Sequence, residues 1–389
     1  MNTYIKTQDP FKCYGCHSCE NICPKHAIQM KPNEEGFLYP VISEEKCVRC
    51  GLCVKACPYD SPSTTNTPIR TVAGQYKNRD ALLSSSSGGL FSALADYILS
   101  KDGYVAGCIF DDSFLAIHIL TKHHALVEKM RGSKYVQSTM GDVYKQIQQV
   151  LLEGSLVLFT GTPCQVDGLK TFLRKEYDNL YTVDLICHGV PSPKILEDYL
   201  DTVQRKKGEI TELTFRNKKR NGWCSQGSIG YSGKVKTITP YNNSYYYYYY
   251  LENRISRYCC YECKYSNVNR VGDITIGDYW NIGDVLPNIN ATDGYSAVLI
   301  NTAKGDELFN GISGNLSIYE TTLENVVKGN GNLSNPCSMP ENRKDIYSKI
   351  SQNGYEETAK KECKYQYIKP FIRKHMPKGL KKIIKKIIH

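Results

Sequence analysis

The chain has 389 residues, 17 of them cysteine, with 23% charged side chains, 41% hydrophobic residues and a net charge of +10. That length allows two or three domains with a full core. The charged fraction and the lack of a secretory leader over residues 1–11 argue against a disulfide-stapled secreted fold and predict a cytoplasmic protein. No window approaches the roughly 18 uninterrupted apolar residues of a membrane-spanning helix. Eight of the ten net positive charges lie in residues 369–389, so the body carries only +2 and its charge implies no nucleic-acid partner.

The first element in chain order is a string of thiols. Cys13, Cys16, Cys19 and Cys23 are followed by Pro24, and 34 residues on the same string recurs as Cys47, Cys50, Cys53 and Cys57 before Pro58. Two C-x2-C-x2-C-x3-C-P runs are the spacing that holds two [4Fe–4S] cubes. Three thiolates wrap one cube, and the fourth Cys crosses to the other. Cys13, Cys16, Cys19 and Cys57 are therefore assigned to one cluster, and Cys47, Cys50, Cys53 and Cys23 to the second. Structural zinc asks for two separated pairs rather than two triplets each trailed by Cys-Pro. Residues 1–60 then read as an α+β ferredoxin-like unit with an internal repeat, and such thiolates again point to a cytoplasmic setting.

Residues 61–75 are polar, with prolines at 62 and 68, and read as a linker to a larger domain over 76–345. This opens with a Ser/Gly loop, Ser84 to Gly89, running into a helix marked by Leu90, Leu94, Tyr97 and Ile98. Such a loop cradles a phosphate or simply caps a helix. Strands follow at Tyr104 to Phe110 and Ala116 to Leu120, with a helix at Val143 to Leu152. A buried strand at Leu156 to Phe159 then leads through Thr160-Gly-Thr-Pro-Cys-Gln165 into a helix. The strand Tyr181 to Ile186 repeats the arrangement and ends at Cys187-His-Gly, so both strands deliver a cysteine to one sheet edge, where α/β folds bind ligands. From Ile210 shorter strands take over, with turns at Asn221-Gly222 and Ser232-Gly233. Half of the six tyrosines Tyr245 to Tyr250 are expected to pack a core.

The motifs Ser86-Ser-Gly-Gly-Leu-Phe-Ser-Ala-Leu94, Gly132-Ser-Lys-Tyr-Val-Gln-Ser138, Gly161-Thr-Pro-Cys-Gln165, Asp184-Leu-Ile-Cys-His-Gly-Val-Pro-Ser-Pro193, Cys260-x2-Cys263 and Asp273-Ile-Thr-Ile-Gly-Asp278 lie in order over some 260 residues. In these the chain resembles the family of coenzyme F420 hydrogenase/dehydrogenase beta subunits, here with a two-cluster ferredoxin-type front. The resemblance implies a larger α/β domain with a mixed sheet, carrying FAD and a third [4Fe–4S] cluster on Cys164, Cys187, Cys260 and Cys263. Buried free cysteines are the alternative reading of those four. Cys259 shares the loop and can substitute, whereas Cys108, Cys224, Cys337 and Cys363 read as structural or incidental. The flavin contacts implied by the family fall on Ser86, Ser87, Gly88 and Gly89, on Lys134, Tyr135, Gln137 and Ser138, and on Thr162 and Pro163. His188 is a candidate proton donor, against the plain reading of a hydrogen-bonded turn histidine.

The expected function is an iron–sulfur flavoprotein oxidoreductase. It would pass electrons between an F420-like or other conjugated two-electron substrate and a redox partner protein, such as a ferredoxin or a partner oxidoreductase. The alternative is a relay module without a substrate of its own. Residues 346–389 read as a helical basic tail: Leu380, Ile383, Ile384, Ile387 and Ile388 recur on one face, with lysines on the other. Such a helix either lies on an anionic membrane surface, as a peripheral contact at the inner membrane, or docks on its own domain.

Overall fold

The computed structural model describes residues 3–240 and 244–363. Near its start, β1 (Ile28–Pro32) and β2 (Leu38–Ile42) form an antiparallel hairpin between the two thiol strings. Each string closes around a four-residue helix, Ser18–Asn21 in the first and Leu52–Lys55 in the second. The 34-residue repeat is visible in the backbone. Gly15 and His17 adopt left-handed φ of 67° and 64°, and their equivalents Arg49 and Gly51 adopt 54° and 76°. A backbone bent this sharply at alternate positions turns three side chains of a C-x2-C-x2-C run inward.

The larger lobe is built on a mixed sheet. Its strands are β3 (Arg70–Tyr76), β4 (Tyr104–Phe110), β5 (Ala116–Thr121), β6 (Val157–Gly161), β7 (Leu180–Leu185), β11 (Ile274–Asp278), β12 (Ser296–Ile300) and β13 (Leu316–Glu320). Their order is β13-β3-β12-β11-β7-β6-β4-β5. The centre, β4-β6-β7-β11, is parallel, and antiparallel strands flank it on both sides. Alternate residues of the central strands face opposite layers. Leu158 packs with the helices Leu90–Ser100 and Ala303–Ile312 on one face, while Val157 and Phe159 pack with the helices Val143–Leu152 and Pro163–Leu173 on the other. A sheet buried on both faces explains the continuous apolar runs of these strands.

β8 (Ile210–Thr214), β9 (Gly227–Tyr231) and β10 (Lys234–Ile238) form a separate antiparallel sheet. Ser232-Gly233 makes its hairpin turn, whereas Asn221-Gly222 ends the short helix Lys218–Asn221. The tyrosine run is the helix Tyr245–Leu251, capped by Ser244, and Tyr246 to Tyr250 are all buried, more than the half expected of an amphipathic element. This turn of helix shares a core with β8 and β9 and with the helices Pro193–Lys207 and Arg343–Asn353, so it has no solvent face.

Two segments differ from their sequence reading. β3 begins at Arg70, inside the stretch read as linker, and pairs with β12 and β13 on either side. The helix Arg343–Asn353 crosses from the larger domain into the stretch read as tail, and its Ile346 and Ile350 are core residues. The basic repeat at 369–389 lies outside the described residues. Among the described residues no helix is long and apolar enough to cross a membrane.

Candidate thiol centres

In the N-terminal unit the last cysteine of each string stands among the thiols of the other. Burial pushes the Cys19 thiol well above the usual range, and Cys16, Cys13, Cys57 and Cys53 push it the same way. Cys57 is pushed up to about 11 by burial, with Cys13 adding to the rise. Burial also raises Cys53, with Cys23 and Cys47 as its thiol neighbours. Cys16 is buried and Cys50 is exposed.

The second gathering is internal and draws on four separate segments. Cys164 sits in the first turn of Pro163–Leu173, just beyond β6. A capping box fixes this turn: the Thr162 hydroxyl accepts from the backbone of Gln165, and the Gln165 carboxamide accepts from the Thr162 N–H at 3.0 Å. Cys187 follows the end of the neighbouring parallel strand β7. Cys259 and Cys260 lie in the 3-10 turn Tyr258–Glu262, and Cys263 caps it. Cys337 arrives from the loop after Leu333. All six thiols line one largely apolar cavity of about 30 Å³, together with Tyr14, Pro163 and His188.

Burial raises Cys164 well above the usual thiol range, with the Thr162 hydroxyl opposing and Cys187, Cys263 and Cys260 adding to the rise. Cys187 is pushed up to about 12 by burial, with Cys260 adding. In the adjacent pair burial raises Cys259, whose thiol donates to Cys260 and thereby lowers Cys260. Thiols that resist ionising alone in a dry cavity become good ligands once a cation neutralises them. The buried guanidiniums of Arg257 and Arg270 offset part of the remaining negative charge. Six soft sulfur donors without a carboxylate suit a sulfur-ligated iron group. Among the described residues no three His, Cys, Asp or Glu side chains close on a point as a single ion requires. The thiol sets are neighbourhoods, not finished coordination spheres.

The two gatherings abut. A Cβ on Gly168, one turn beyond Cys164, would stand 2.9 Å from Cys16 Cβ and 3.1 Å from its Sγ, so only glycine lets the helix approach this closely. Arg257, fully buried, donates from Nε to Cys13 O at 2.7 Å, from Nη1 to Gln137 Oε1 at 2.9 Å and from Nη2 to Leu38 O at 2.9 Å. Arg343 holds Glu35 bidentately at 2.7 and 2.6 Å and the Ser256 carbonyl at 2.8 Å. Asp167 accepts from Ser63 N at 2.8 Å and from the Tyr265 hydroxyl at 2.7 Å. Charged, buried ties of this kind fix the two units rigidly, because each would be costly to desolvate unpaired.

The residues read as flavin contacts divide into three places. Ser86 to Gly89 lead into Leu90–Ser100, where Gly88 is pressed so close to Gly74 O that an added Cβ would collide with it. Two buried cations meet this loop: Arg216 Nη2 donates to Ser86 O at 3.0 Å, and Lys218 Nζ to Ser87 O at 2.6 Å. Arg216 is at the same time paired bidentately with Asp278 at 2.9 and 3.1 Å, and Lys218 also donates to Asp293 O at 2.7 Å. Lys134 donates to the carbonyls of Lys129, Arg131 and Gly132, and burial lowers it to about 8. Tyr135 stacks on Tyr250 at 4.5 Å between centroids. Gln137 is committed to Tyr14 O and Arg257, and Ser138 to His118 Nδ1 at 3.0 Å and Gln165 Nε2 at 2.9 Å. Thr162 and Pro163 belong to the turn of the thiol cavity. The loop is thus held by backbone contacts to two buried cations, while Gln137 and Ser138 serve the junction.

His188 lines the same cavity as the thiols, with Nδ1 3.2 Å from Asn332 Oδ1 and Nε2 buried and unpaired. Sequence reading missed Cys337, which has no spacing signal, and Tyr14, whose role is set only by where its ring lands. It also missed Arg216 and Lys218, which come from the smaller sheet's connection.

The family model for the C-terminal part of the coenzyme F420 hydrogenase/dehydrogenase beta subunit matches residues 154–325, and that for the 4Fe-4S dicluster domain matches residues 12–61. The chain is 22% identical over 325 residues to the F subunit of the F(420)H(2) dehydrogenase of Methanosarcina mazei, covering 79% of this chain and 84% of that one. It is 25% identical over 309 residues to the coenzyme F420-dependent sulfite reductase of Methanocaldococcus jannaschii, covering 77% of this chain but only 46% of the reductase. A chain of the F420-reducing [NiFe] hydrogenase complex from Methanosarcina barkeri aligns with a TM-score of 0.49 at 16% identity, over 74% of this chain and 94% of that one.

Proposed function

Since residues 154–325 belong to the family of coenzyme F420 hydrogenase/dehydrogenase beta subunits and residues 12–61 to the 4Fe-4S dicluster domains, we propose that this chain is an iron–sulfur oxidoreductase subunit. In this reading it moves electrons between a two-electron substrate and a redox partner protein. The observation that carries it is that Tyr14, between Cys13 and Cys16, lines the six-thiol cavity, while Gly168, one turn beyond Cys164, lies against Cys16.

Cys13, Cys16, Cys19 and Cys57 would hold one [4Fe–4S] group, and Cys47, Cys50, Cys53 and Cys23 a second. Cys164, Cys187, Cys260 and Cys263 would hold a third. Such groups, when bound, carry single electrons. The protein's own part is to exclude water from the inner cavity, to counter its negative charge with Arg257 and Arg270, and to present Cys50 at the surface. Contact with a partner at Cys50 shortens the path to the outermost group.

The finer proposal adds FAD at the Ser86–Gly89 loop, a cofactor that trades one electron against two, with a deazaflavin of the F420 type as substrate and His188 as a proton donor. Lys218 brings a positive charge to the loop beside the Arg216–Asp278 ion pair, which supports a pyrophosphate there. The relay reading draws on Gln137 and Lys134, whose polar groups are spent on internal partners. Anaerobic iron, sulfide and flavin stoichiometry tests both: about twelve irons with one FAD supports the enzyme, and about eight irons without flavin supports the relay.

A further inference from the structure

We propose that the Tyr14 hydroxyl donates a hydrogen bond to the sulfur-ligated group of the inner cavity, making a residue of the N-terminal thiol string a determinant of the inner centre's reduction potential. The inference rests on the reading of that cavity as a third iron–sulfur site, and it concerns a side chain that the motifs leave unassigned.

Tyr14 lies between Cys13 and Cys16 in sequence, yet its side chain leaves its own string. It lines the cavity of Cys164, Cys187, Cys260 and Cys263. The residue is 5% exposed, and among the described residues its hydroxyl has no hydrogen-bond partner. Burying a phenol with an unused donor is unfavourable, so native structures rarely keep one without use.

The ring is not there by accident of packing. It is held against Tyr265 at 5.2 Å and Tyr59 at 5.7 Å between centroids, and its carbonyl accepts from Gln137 Nε2 at 3.0 Å. Tyr265 is in turn fixed by its bond to Asp167. Backbone and ring are thus both anchored, and the unpaired hydroxyl belongs to a side chain that lines the thiol cavity. Beside a deprotonated thiolate or sulfide sulfur, which can only accept, a phenol O–H can only donate.

A donor to sulfur stabilises the more negative, reduced state of such a group more than the oxidised one, and so raises its potential. Because Tyr14 shares a backbone with Cys13 and Cys16, any shift of the first thiol string also moves this donor. The potential of the inner centre is then tied to the state of the outer one.

The test compares Tyr14→Phe with the unaltered full chain, both prepared anaerobically, by iron content, by electron paramagnetic resonance redox titration and by proton hyperfine spectra in H2O and D2O. The expected result is unchanged iron at about twelve per chain, a lower midpoint for one of three centres, and loss of one exchangeable proton coupling at that centre. At the unaltered midpoint its reduced-to-oxidised ratio should fall about tenfold, equivalent to 59 mV for a one-electron couple. Twelve irons with all three midpoints unmoved overturns the proposal and leaves the third site standing. A shift confined to the N-terminal pair overturns it too. About eight irons in the unaltered chain removes the third site itself, and the proposal with it.

Discussion

The two sulfur-rich regions solve the same chemical problem by opposite means. In the N-terminal unit eight cysteines fall within 45 residues, the backbone bends them inward with repeated left-handed residues, and Cys50 is exposed. In the inner cavity six cysteines come from segments spread between residues 164 and 337, two of them placed by neighbouring parallel strands, and all line one cavity. The first kind of site is local and can form before the rest of the chain has folded. The second exists only when β6, β7, the 258–263 turn and the 337 loop are all in place, so it reports on the whole lobe. A surface site suits exchange with another protein, and an inner one suits a tuned potential.

The largest expected effect separates the regions by metal content. Cys164→Ser should remove about a third of the iron, about four of twelve, while the N-terminal signals persist. Loss of all iron would mean the outer site depends on the inner one. Next in size is the junction: Arg343→Leu leaves Glu35 without its bidentate partner and should lower unfolding stability by about 3–5 kcal/mol, read as a drop in the thermal midpoint of the anaerobic protein. An unchanged midpoint would show the two units to be loosely joined.

One pH effect comes from the larger lobe. His118 is buried and lowered to about 4 by burial, with Nε2 3.2 Å from Thr160 O and Nδ1 facing Ser138 Oγ. The unfolded chain therefore binds a proton that the native chain refuses between about pH 6.5 and 4. Stability should fall by about 3 kcal/mol as the pH drops through that window, and His118→Asn should flatten the slope in denaturant titrations. A slope that survives the substitution assigns the effect to another group. The smallest effect is expected from Gly168→Ala, where the added methyl meets Cys16 and should cost about 1–3 kcal/mol. It should also perturb the resonance signal of the Cys16 centre, with the Cys47 centre unchanged.

Much of the architecture was legible because it follows from periodicity. The helix Val143–Leu152 and the strand Tyr104–Phe110 coincide with their apolar patterns, and the two thiol strings announce themselves by spacing. Three features were not. β3 hides in a stretch that opens with prolines and small polar residues, because a strand paired on both sides takes its order from partners more than 200 residues away. The tyrosine helix buries nearly every side chain, since the core around it closes from all directions. Cys337 and Arg216 reach their sites from loops and Lys218 from the start of a one-turn helix, where sequence spacing carries no geometry.

What the sequence determined by itself is the chemistry: sulfur ligands in repeated local strings, whose spacing is short enough for backbone geometry alone to bring them together. What only the tertiary structure decided is the wiring. Long-range packing set Gly168 against Cys16, turned Tyr14 out of its own string into the inner cavity, and brought a sixth thiol from residue 337, because contacts between distant segments are fixed by the shape of the shared core.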